Sequence, residues 1–159
     1  MKKLMAVIGI ILSVCIPATA VQAKEPLSAG EVYEIAEDVA EQYNICPEFL
    51  QAIAFRESSY DPYAQNGDCT GIMQVSLRWH KDRMERLGIT DLYDPKDNML
   101  VAADYLYELF EKYEDVGMVL LKYNGDSRAD DYYDGRVGLS DYANDILELS
   151  AELERKNGK

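Results

Sequence analysis

Histidine and tryptophan each occur once in this chain of 159 residues, and cysteine three times. A lone His80 and two cysteines beyond the N-terminal segment are too few for a Cys/His metal centre, and no metal is expected. Positive charge is also scarce: 16 lysines and arginines stand against 29 aspartates and glutamates, a net charge of -13. Phosphate backbones would be repelled, which argues against nucleic acid, and an anionic membrane surface is disfavoured for the same reason. The longest apolar run, Leu4 to Ile16, falls short of the roughly 20 residues that a comfortable membrane span needs. No window alternates apolar and polar residues with period two, and no segment repeats. That leaves little room for a sheet.

The N-terminus reads as an export signal. Met1-Lys2-Lys3 is a basic start, the apolar run follows, and Ala18-Thr19-Ala20 and Val21-Gln22-Ala23 both fit a small-x-small cleavage site. Residues 1–23 are the expected signal peptide and 24–159 the mature domain, destined for an extracellular, periplasmic or wall-associated location. Leu12-Ser13-Val14-Cys15 is a partial lipoprotein box, so lipidation or a retained N-terminal anchor are the alternatives. Loss of Lys2 and Lys3 takes the net charge from -13 to -15. About 135 residues then remain, enough for one domain with one core and no stable membrane insertion. Cys46 and Cys69 form an even pair in an exported chain, from which a disulfide is expected, a closure worth about 3 kcal/mol.

The apolar periodicity is helical almost throughout. Ser28 with Glu31 reads as a capping box ahead of the stripe Val32, Ile35, Ala36, Val39, Ala40 and Tyr43. Pro47 suits the first turn of a second helix. Asp61-Pro62 and Asn66-Gly67 mark residues 59–70 as a loop. Further helices are expected over Ser76–Leu87, from a cap at Asp97 through Tyr113, over Val116–Tyr123, and from a cap at Ser140 with Tyr142, Ile146, Leu149 and Leu153 inward. The fold class is all-α, a single domain of about six helices. Trp79 reads as a core anchor and His80 as a solvent-facing side chain.

Glu57 is the residue that points to chemistry. Leu50, Ile53, Ala54 and Glu57 share one helix face, so a core-facing stripe carries a carboxyl with it. Loss of hydration favours the neutral acid, and a neutral carboxyl near pH 7 is a proton donor. Alone, the same pattern also describes a helix-end glutamate that curls into water.

Four short motifs in order decide between these. Glu57-Ser58-Ser59-Tyr60-Asp61-Pro62, Gly71-Ile72-Met73-Gln74, Asp94-Pro95 with Asn98 and Ala102, and Tyr123-Asn124-Gly125 together resemble the catalytic domain of the soluble lytic transglycosylases. The likeness covers residues 46–147, and its fold is lysozyme-like. It implies cleavage of the β-1,4 bond between N-acetylmuramic acid and N-acetylglucosamine in peptidoglycan glycan strands, without water, leaving a 1,6-anhydro end. It implies Glu57 as the single catalytic acid/base, with Ser58, Met73, Gln74, Tyr123 and Asn124 on the substrate and the Tyr123 hydroxyl reaching toward the acid. No cofactor is implied. Tyr60, Tyr63 and Tyr93 are candidate sugar-stacking rings. Lys122 stands where the family has alanine, and Asn124-Gly125 is one residue shorter than its pattern, so the groove near Tyr123 is expected to differ.

Two other readings remain at this level. A hydrolytic lysozyme on the same fold would need a second carboxylate, for which Asp61 and Asp68 are available. A non-catalytic wall-binding module would retain the fold alone. A cell-envelope partner that delivers the small domain is a further possibility. Asp130, Asp134, Gly135, Val137 and Asp141 partly match a calcium loop, but Tyr132 occupies a ligand position.

Overall fold

The computed structural model describes residues 25–159, so the expected signal segment and the lipoprotein box lie outside the described residues. Among the described residues there are seven helices and one small sheet: α1 (Ala29–Tyr43), α2 (Pro47–Ser58), β1 (Gln65–Asn66), β2 (Cys69–Thr70), β3 (Val75–Ser76), α3 (Leu77–Leu87), α4 (Pro95–Lys112), α5 (Val116–Tyr123), α6 (Ala129–Tyr133) and α7 (Asp141–Lys156). None of these helices is long and apolar enough to cross a membrane.

Local chemistry sets the helix starts. Ser28 Oγ accepts from Glu31 N while Glu31 Oε2 accepts from Ser28 N, so the capping box opens α1 as expected. Pro47 occupies the first turn of α2, where its missing N–H costs nothing. The cap of α4 is Asp94 rather than Asp97: Asp94 Oδ1 accepts from Lys96 N and Asp97 N. Pro95, whose fixed φ suits the first helical position, places the cap one residue before itself.

α2 is the axis of the fold. Glu48 to Ala54 is buried without a break, and the helix packs against both α1 and α7. Leu50, Ile53, Met73, Met99, Leu106 and Ile146 are among the largest fully buried side chains. Each contributes about 1.5–3 kcal/mol by burial. Over that buried stretch the helix has no solvent face, so tertiary contacts hold it; Phe55 and Arg56 reach the surface only in its last turns.

β1, β2 and β3 form an antiparallel meander with register Gln65↔Thr70, Asn66↔Cys69, Cys69↔Ser76 and Thr70↔Val75. Two-residue strands carry no period, which is why the sequence shows only a loop there. α6 likewise falls in a stretch that reads as loop. Its carboxylates face cations instead of converging: Asp130 pairs with Lys122, and Asp131 and Asp134 with Arg136. No metal-ligand cluster exists among the described residues.

The expected Cys46–Cys69 disulfide is not formed; both thiols are free. Cys46 caps the start of α2 and donates to Glu48 Oε2 at 3.0 Å. Cys69 lies in β2, beside Glu57 at the other end of that helix. Twelve helical residues separate the two ends. At 1.5 Å per residue that is about 18 Å, well beyond the roughly 7 Å limit for a disulfide's Cα atoms.

Candidate active site

Glu57 sits in the last turn of α2, half-buried, where the apolar face of the helix meets a groove of about 650 Å³. Burial pushes its carboxyl above the ordinary value of 4.5. The Tyr142 hydroxyl, donating to Glu57 Oε1 at 2.5 Å, and the Arg56 charge pull the other way without cancelling it. The result is a carboxyl that keeps its proton to higher pH, with one oxygen held by Tyr142 and the other available. Tyr142 is in the first turn of α7, and the close packing of α7 on α2 sets this contact. The tyrosine hydroxyl is itself pushed up by burial and by the Glu57 charge, so it stays a neutral donor.

Tyr123 plays a different part from the one its motif implies. Its hydroxyl donates to the Met73 carbonyl at 2.9 Å, not to Glu57. α5 ends over the 71–74 turn, so that carbonyl is the acceptor within reach. The ring lies near enough to Glu57 for the carboxylate charge to raise the phenol further, after burial.

The Gly71–Gln74 turn is held from below by Asn98. This fully buried amide accepts from Met73 N at 2.9 Å and donates to the Thr70 and Leu92 carbonyls at 2.8 and 2.9 Å. Gly71 has φ +81°, and a Cβ there would fall 2.2 Å from Asn98 Nδ2. Gln74 has φ +49°, a left-handed conformation, and its amide donates to the Ala64 and Gly71 carbonyls. That strained residue lines the groove.

Several expected contacts are relocated. The Met73 side chain is fully buried, so this residue serves the site through its backbone. The Ser58 hydroxyl shares its proton between the Ala54 and Ile72 carbonyls, at 3.1 and 2.9 Å, and braces α2 against the 71–74 turn. Tyr60 is buried with its edge against Phe55. Tyr63 and Tyr93 stack on each other, 6.0 Å apart, and do not line the groove. Tyr123 and Asn124 do line it.

Two residues that read as structural or inert also belong to the groove. Trp79 is 74% exposed on its wall instead of anchoring the core. His80 is half-buried against the Tyr105 ring at 4.8 Å and accepts from Arg83 Nε at 3.4 Å. Burial and the Arg83 charge push the imidazole down, so it stays neutral.

Only one groove carboxylate is poised for proton transfer. Glu108 also lines the groove but is paired with Arg83 at 2.6 Å. Asp61 accepts the Tyr63 N–H, and Asp68 accepts the Ser76 hydroxyl at 2.6 Å; neither lines the groove. The Cys69 thiol does line it and is pushed up by burial and by the charges of Asp68 and Glu57, so it stays protonated. A second cavity of about 500 Å³, among Tyr43, Phe49 and Phe110, lies at the far end of α2. It is distant from this chemistry.

Residues 34–145 match the family described as the transglycosylase SLT domain. The chain belongs to the SLT family. The SLT domain is 35% identical over 85 residues to a transglycosylase of Enterobacteria phage PRD1, a match covering 53% of this chain and 31% of that protein. It is 34% identical over 77 residues to membrane-bound lytic murein transglycosylase F 1 of Alkalilimnicola ehrlichii, covering 48% of this chain and 15% of the relative. The chain thus spans less than a third of the length of these relatives. The fold is also that of lytic transglycosylase Slt from Pseudomonas aeruginosa, solved as an inactive glutamate-to-glutamine mutant. The TM-score is 0.67 at 19% identity, over 79% of this chain and 24% of that one.

Proposed function

We propose that this SLT domain is an exported peptidoglycan lytic transglycosylase with Glu57 as its single acid/base. The observation that carries this reading is one desolvated carboxyl, hydrogen-bonded by Tyr142, in a groove whose other carboxylate is neutralised by Arg83. Family membership and the names of the relatives support the same activity. Glu57 protonates the glycosidic oxygen, and the bond from that oxygen to C1 of the muramic acid breaks. The substrate's N-acetyl group stabilises the positive centre. The Glu57 carboxylate then takes the proton of the C6 hydroxyl as O6 closes on C1, which yields the 1,6-anhydro ring and restores the acid. No second carboxylate and no water are consumed, in contrast to a hydrolase. The commitments of Asp61 and Asp68 elsewhere favour this route over hydrolysis.

Digestion of purified cell wall followed by mass spectrometry of the products tests the proposal. Anhydro-muropeptides are expected from the native chain. Glu57→Gln should lower the rate by about 10³-fold, within the range for loss of a general acid. Products with ordinary reducing ends would establish hydrolysis instead.

A further inference from the structure

Trp79 is the chain's single tryptophan, and it stands 74% exposed on the wall of the Glu57 groove. An indole offers about 150–250 Å² of largely apolar surface, so leaving it in water is unfavourable unless a ligand covers it. The cap of α3 fixes its backbone, where Trp79 N donates to Ser76 Oγ, and on the ring side the Arg78 guanidinium lies 5.1 Å from the ring centroid. Arg78, like Lys112 and Arg155 among the described residues, makes no ion pair in this acidic molecule. Lys122 and Arg83, the cations on the groove wall, are taken by Asp130 and by Asp104 and Glu108. Among the described residues no carboxylate is in ion-pair range of Arg78. The first turn of α3 holds no acidic residue either.

We propose that Trp79 and Arg78 form a binding subsite for an anionic glycopeptide unit of the substrate. The pyranose ring lies on the indole, and a carboxylate of the attached peptide stem pairs with the guanidinium. The inference rests on the transglycosylase reading and specifies which substrates that groove prefers. A flat apolar face suits the C–H face of a sugar, and a planar guanidinium suits a carboxylate. Denuded or amidated strands would meet the same platform without the ion pair.

The single tryptophan makes the platform its own reporter. Glu57→Gln is titrated with soluble muropeptide oligomers carrying free stem carboxylates, and with the same oligomers amidated, while tryptophan emission is followed. Binding should shift the emission to shorter wavelength and saturate. Adding Arg78→Gln should raise Kd for the carboxylate form about fivefold, the upper range for an exposed ion pair, with less than a twofold change for the amidated form. Adding Trp79→Ala, followed by calorimetry, should raise Kd for both forms about tenfold, as for loss of an aromatic anchor. Unchanged emission at saturating ligand, with the native chain still cleaving wall, would overturn the subsite and leave the transglycosylase reading intact. Equal weakening of both ligands by Arg78→Gln would overturn the carboxylate recognition. A native chain that neither binds nor cleaves would overturn the transglycosylase reading and the subsite with it.

Discussion

The bond from the Tyr142 hydroxyl to Glu57 Oε1 makes the acid's proton affinity a balance of opposed effects. Burial raises the Glu57 pKa, while Tyr142 and Arg56 lower it. Tyr142→Phe removes one lowering influence, so the pKa rises further. The first step of the proposed mechanism needs the protonated acid, so the alkaline limb of kcat/KM should move to higher pH in this variant. The rate at the optimum should fall about tenfold as the carboxyl loses its orientation. A pH–rate profile checks both. Stability has the opposite interest. A carboxyl with a raised folded-state pKa contributes most below its ordinary value of 4.5, and this is lost as pH rises through the folded value. At pH 7 ionised Glu57 is therefore a cost, and Glu57→Gln should melt several degrees higher than the native chain. Calorimetry should show that gain vanish below the ordinary carboxyl range. Glu57 was legible in the sequence because its spacing from Leu50 and Ile53 puts it on the buried face. Tyr142 was not: it lies 85 residues away and fits a core stripe. Nothing local distinguishes a core tyrosine from one that reaches an acid.

At the scale of elements, the 71–74 turn carries the groove wall, and Asn98 carries the turn. Gly71→Ala would place a methyl 2.5 Å from the Leu92 carbonyl as well as against Asn98, in a left-handed backbone. A loss of about 3 kcal/mol or more is expected in urea unfolding, since neither obstacle can move without breaking a buried hydrogen bond. The helices of this layer were legible from caps and apolar stripes, and Ser28, Ser76 and Ser140 all cap as N-cap residues do. The three short strands and α6 were not, because segments of two to five residues hold no period to read. Trp79 was misread for a related reason. α3 has few apolar residues, and only Met84 in it is buried, so its tryptophan had no stripe to belong to.

Across the whole molecule, Glu48 joins the start of α2 to the end of the chain. It is fully buried and accepts from Asn157 Nδ2 and Lys159 Nζ at 2.9 Å, and from Cys46 and Tyr33. Burial alone would raise its pKa, but the bonds from Lys159, Asn157 and Cys46 outweigh it and hold the carboxyl at about 2. A depressed folded-state value means stability that is present above the ordinary 4.5 and lost as pH falls toward 2. The native chain should therefore lose melting temperature steeply across that window. Glu48→Gln should start lower at pH 6 and change less, so the two curves converge in acid. The helical class and the face of α2 on which Glu57 sits were determined by the sequence alone. Caps, prolines and a 3.6-residue period act over a few neighbours, and an ordered set of motifs adds the family. Tertiary structure alone decided what the acid touches. The approach of α7 to α2 brings Tyr142 to Glu57, the end of α5 turns Tyr123 to Met73, and the length of α2 keeps Cys46 and Cys69 apart. Those outcomes depend on how faces pack across the chain, a distance over which local pattern carries no information.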